Sequence, residues 1–70
     1  MVDTFMRLDA VKAATGLGRS TIYEMMDLGT FPKSVKLNEG SDARAVAWVA
    51  SEIAKWQRSR IEAREKTEAA

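Results

Sequence analysis

The apolar positions change period twice along the chain. Met6, Leu8, Val11 and Ala14 recur at roughly helical spacing and predict a first helix over residues 8–15, L-D-A-V-K-A-A-T, with those side chains inward. Asp9 favours the N-terminal end of that helix and Gly16 is its stop. Leu17 anchors the following turn. Ile22, Met25 and Met26 then supply the i, i+3 and i+4 contacts of a second helix, R-S-T-I-Y-E-M-M-D-L, with Gly18 in the cap position and Gly29 closing it. Both methionines are read as core filling.

Phe31-Pro32 cannot continue a helix, because proline lacks the amide proton and forces its predecessor into an extended conformation. The period then shortens. S-V-K-L at 34–37 alternates, N-E-G-S-D is a turn cluster, and A-R-A-V-A-W at 43–48 is a second extended run. These predict a small hairpin over about 34–48, with Val35 and Leu37 on one face and Val46 and Trp48 as their partners. Helical spacing returns at Val49, Ile53 and Trp56, which predicts a third helix over about 50–66, with Ser51 as a candidate cap. Past Trp56 the apolar stripe ends and the helix is expected to fray. Trp48 and Trp56 are read as core, joining the hairpin to this helix.

The whole is a mainly α fold with a small β-hairpin: a three-helix winged helix-turn-helix. A chain of 70 residues has room for one domain, residues 1–70, since it hides only about 60% of its unfolded surface. Its 46% apolar and 30% charged residues suit a folded chain rather than a disordered one. Neither histidine nor cysteine is present, which removes the commonest general base, metal ligands and nucleophile. A Ser20 or Ser51 pair with Lys55 is all that an enzyme reading could use, and no oxyanion pattern accompanies it. No enzyme, metal or cofactor is expected. No apolar run approaches the length of a membrane span, and M-V-D-T-F-M-R lacks the features of a signal peptide, so a cytoplasmic protein is expected.

Eleven basic against ten acidic residues leave a net charge of +1, so any attraction to nucleic acid must come from where the charges sit. Helix, glycine-containing turn and helix is the order of a helix-turn-helix, whose second helix enters the DNA major groove by its N-terminal end. Arg19, Ser20, Thr21 and Tyr23 occupy that end, where free backbone N–H groups favour phosphate and the side chains reach toward base edges. Ile22 already takes the inward position, which turns Tyr23 outward. Lys33, Lys36 and Arg44 lie on or beside the exposed part of the hairpin, placed for a phosphate backbone or a minor groove. Arg58, Arg60 and Arg64 alternate with acids and read as a solvated face.

With these residues placed, the chain resembles the AlpA family of short phage and prophage regulators, relatives of the excisionases within the MerR-like winged-helix group. The resemblance rests on R-L at 7–8, T-G-L at 15–17, R-S-T-I-Y at 19–23, G-T-F-P at 29–32, V-K-L at 35–37, A-V-A-W at 45–48 and S-E-I-A-K-W at 51–56. It covers about residues 7–60. It implies a winged helix that binds double-stranded DNA near a promoter or an attachment site, as a transcriptional regulator, as an accessory factor for excision of an integrated element, or as both. Two positions depart from the pattern: Gly18 stands where the family has serine as a cap, and Glu24 where relatives are often basic. Glu24 therefore either removes a phosphate contact or supplies an acceptor for a cytosine amino group.

One small module reads few base pairs, so self-association on adjacent sites, or a partner such as an integrase or RNA polymerase, is expected. The alternative is a protein-interaction module that uses the same fold and its charged last helix to bind a recombinase or repressor without reading DNA.

Overall fold

The computed structural model describes residues 2–38 and 45–69. Their order is β1 (Phe5–Met6), α1 (Leu8–Thr15), α2 (Arg19–Leu28), β2 (Val35–Lys36), β3 (Val46–Val49) and α3 (Ala50–Ala69). The architecture is mainly helical, with three helices and a small antiparallel sheet of strand order β1-β3-β2. It is that of a winged helix-turn-helix.

The helix-turn-helix unit is set by its glycines. Gly16 and Gly29 have φ of 75° and 77°, the left-handed region that L side chains rarely adopt. At the end of α1 the Gly16 N–H donates to the Lys12 carbonyl at 2.8 Å. At the end of α2 the Thr30 N–H donates to the Met25 carbonyl at 2.9 Å and the Gly29 N–H to Met26 at 3.1 Å, the paired bonds of a Schellman stop. Thr15 tightens the turn between the helices: its Oγ1 donates to the Val11 carbonyl at 2.7 Å and accepts from the Leu17 N–H at 3.3 Å.

Val11 of α1, Ile22 of α2, Phe31, Trp48 of β3 and Ile53 of α3 form the buried core, with Met6, Leu8, Leu17, Met25, Met26, Val46 and Trp56 packed around it. Each helix inserts one fully enclosed aliphatic side chain, which contributes about 1.5–3 kcal/mol relative to exposure. The two indoles act as ties. Trp48 Nε1 donates to the Pro32 carbonyl and Trp56 Nε1 to the Thr30 carbonyl, both at 3.0 Å. Phe31 sits edge-on to Trp56 at 4.9 Å between centroids. The segment that proline keeps out of helix is thus fastened to both β3 and α3. Gln57 Nε2 donates to the Ala14 carbonyl at 2.9 Å and so ties α3 to the last turn of α1.

Several expectations are corrected. Met6 belongs to a strand, β1, which pairs with β3 in the register Phe5 with Val49 and Met6 with Trp48. Val49 ends β3 instead of opening α3. Ala14 is exposed, and only its carbonyl is engaged. In the hairpin, Val35 pairs with Ala47 and Lys36 with Val46, one residue away from the expected partners. The slip puts Lys36 on the same sheet face as Val46, because directly paired residues of antiparallel strands point the same way. The expected turn at 38–42 falls largely outside the described residues. α3 continues to Ala69, past the point where the apolar stripe ends.

Candidate nucleic-acid interface

Helical geometry divides α2 into faces, since each residue advances by about 100°. Ile22 is buried and Met25 and Met26 are half-buried, which fixes the inward direction. Opposite them lie Ser20, Glu24 and Asp27, with Thr21 to one side, and all four are exposed. Arg19 and Tyr23 fall on the other flank. Among the described residues, the side chains of Ser20, Thr21 and Glu24 have no hydrogen-bond or ion-pair partner. Ile22 N–H donates to the Gly18 carbonyl at 3.0 Å, but Gly18 supplies no side-chain cap, so the first turn of α2 keeps free amide donors.

Tyr23 is partly anchored. Its ring stands edge-on to Trp48 with centroids 6.3 Å apart, and it is 36% exposed. Arg19 lies over that ring, its Cζ 5.8 Å from the centroid, a cation–π contact that orients the guanidinium. Tyr23 is exposed, as its outward position on α2 predicts, and its ring also packs against Trp48 of the sheet.

The same flank forms a cleft of about 240 Å³ lined by Arg7, Leu8, Asp9, Arg19, Tyr23 and Val46. Lys36, paired with Val46, stands on the sheet face that borders it. Of the expected contact residues the cleft brings together Arg19 and Tyr23, while Lys36 reaches it only through its pairing with Val46. Lys33 is elsewhere: it lines a second cleft with Pro32, Ser34, Val35, Glu52 and Lys55, against α3. Arg44 lies outside the described residues.

Arg7 was absent from the sequence-derived set. It is exposed and occupies the N-cap position of α1, extended at φ −78° and ψ 168°, with no side-chain capping bond. Composition offers no clue to it, since the residue sits between two apolar positions in a segment read only for its core side chains. The signal that could have found it is the R-L match at 7–8.

A helix-turn-helix flanked by a small sheet, with a polar first turn on the second helix, is the architecture of a winged helix. The family model described as prophage CP4-57 regulatory protein (AlpA) matches residues 4–61, and the chain belongs to that family. It is also 39% identical over 64 residues to the uncharacterized protein ORF88 of Enterobacteria phage P4, an alignment covering 91% of this chain and 68% of that protein. The family is a regulatory one of prophage origin. Among the described residues no helix is long and apolar enough to cross a membrane.

Proposed function

We propose that residues 1–70 act as one sequence-specific DNA-binding domain that inserts the first turn of α2 into the major groove. The observation that carries this reading is the exposed, unpartnered set of Ser20, Thr21 and Glu24 opposite the buried Ile22. Hydroxyls and a carboxylate on that face match base-edge donors and acceptors. Arg19 and Tyr23, on the flank, and Lys36 of β2 suit the phosphate backbone, and Lys33 is proposed as a further backbone contact, as is Arg44, which lies outside the described residues. The acids Glu24 and Asp27 on the outward face keep general attraction to polyanions low, so binding should depend on a matched site.

A single small module buries only about 600–1,000 Å² on DNA and selects few base pairs. The chain is therefore proposed to bind in several copies on adjacent sites, or beside an integrase or RNA polymerase. In that setting it controls a prophage promoter, directs excision of the element, or does both. Roughly four to six phosphate contacts give a salt slope of about −4 to −5 in log affinity against log salt.

The test is selection of duplexes from a random library by the purified chain, followed by gel shift with Thr21→Ala and Ser20→Ala. Enrichment of a defined sequence, with both substitutions weakening it, supports the reading. Failure to enrich any duplex, together with pull-down of a recombinase or repressor, favours the protein-interaction alternative. That alternative draws on Leu28, a large apolar side chain 76% exposed at the end of α2.

A further inference from the structure

The cleft beside α2 is lined by two arginines from different elements, Arg19 in the first turn of α2 and Arg7 at the N-cap of α1. We propose that Arg7, at the junction of β1 and α1, is a DNA-backbone residue that shares one phosphate with Arg19. This rests on the groove-binding reading of α2 and deepens it.

Three observations support the assignment. First, Arg7 and Arg19 line the same cleft of about 240 Å³ together with Leu8, Tyr23 and Val46, which places both residues beside one space for an anion. Second, among the described residues neither guanidinium has a carboxylate partner, although Asp9 lines the same cleft. Two arginines that leave a neighbouring acid unpaired are free to take a phosphate in the paired-donor geometry that guanidinium groups favour. Third, each arginine is held in place by something other than a salt bridge. Arg19 rests over the Tyr23 ring. The Arg7 backbone is fixed between β1 and α1, its carbonyl accepting the Val11 N–H at 3.0 Å.

The position is also geometrically apt. When the second helix of such a unit lies in the major groove, the first crosses the sugar-phosphate backbone. The start of α1 then faces the phosphates that flank the groove. Asp9 opposes the anion from the same cleft and moderates the strength of the contact, which keeps random-sequence binding weak.

The experiment measures binding of the full chain to two probes, a random-sequence duplex and a duplex selected by the unaltered chain, across about 50–200 mM salt. Arg7→Gln should weaken both probes alike, by roughly five- to tenfold, while Thr21→Ala weakens mainly the selected one. In the double variant with Arg19→Gln the losses should be non-additive, because one phosphate is shared, and the salt slope should fall by about 0.9. Asp9→Asn should tighten both probes severalfold. Thermal melting of Arg7→Gln should match the unaltered chain, since that side chain is exposed.

Unchanged affinity and slope in Arg7→Gln, with Thr21→Ala still impaired, overturns the shared-phosphate assignment and leaves the groove reading standing. So does a loss confined to the selected probe, or strict additivity in the double variant. If the unaltered chain binds neither duplex at the lowest salt, the groove reading itself has failed, and the clamp with it.

Discussion

Tyr23 stands edge-on to Trp48, 6.3 Å between centroids and 65° between planes, so the helix offered to solvent is braced directly against the buried centre of the sheet. One ring serves both packing and surface. Tyr23→Phe keeps the aromatic contact and removes only the hydroxyl. Its urea midpoint should stay within about 0.5 kcal/mol of the unaltered chain, the usual range for surface changes. Its DNA affinity should drop if the hydroxyl reaches a phosphate. Tyr23→Ala should in addition lose the aromatic pair, about 0.5–1.5 kcal/mol, and release Arg19. Gel shift and urea unfolding measured side by side separate these effects.

The glycines that bound α2 should respond in opposite directions. Gly29 holds φ of 77°, and a side chain there meets no atom within 4 Å, so the cost of Gly29→Ala is backbone strain alone, about 1–2 kcal/mol. Gly18 is extended at φ −82° and equally unobstructed. Gly18→Ser adds a capping hydroxyl and should stabilise by a few tenths of a kcal/mol. Calorimetric melting of the two variants should move apart, down for Gly29→Ala and slightly up for Gly18→Ser.

Trp48 is the side chain on which the sheet most depends. It is fully buried, and its indole N–H satisfies the Pro32 carbonyl. Trp48→Phe leaves that carbonyl without its partner, at about 1–3 kcal/mol. Trp48→Ala should cost about 3–5 kcal/mol, a large share of the roughly 3.5–10 kcal/mol expected for a chain of this size. Near-ultraviolet circular dichroism should show fixed aromatic packing retained in the first variant and largely lost in the second.

Gln57 tests whether α3 holds α1 in place. Its Nε2 donates to the Ala14 carbonyl across 43 positions of sequence. Gln57→Ala should cost about 0.5–1.5 kcal/mol, while Gln57→Glu should cost more, since a carboxylate oxygen cannot donate to a carbonyl. Amide exchange in the last turn of α1 should quicken in both.

The helices were legible because their signals are local. Gly16 and Gly29 stop α1 and α2 through φ values that glycine alone adopts readily, and the i, i+3 and i+4 spacing of Ile22, Met25 and Met26 fixes which face of α2 turns inward. The exposure of Ser20, Thr21 and Glu24 follows from that orientation. A two-residue strand at Phe5–Met6 carries no readable period, and it exists only because β3 offers a free edge. The hairpin register was likewise beyond local reading, because alternating residues fit either of two neighbouring registers until Trp48 is buried beneath Pro32. The surroundings of Arg7 were likewise a matter of packing. It comes to line one cleft with Arg19 and Val46 only once α1, α2 and β3 are packed, a juxtaposition of distant segments that no spacing along the chain encodes.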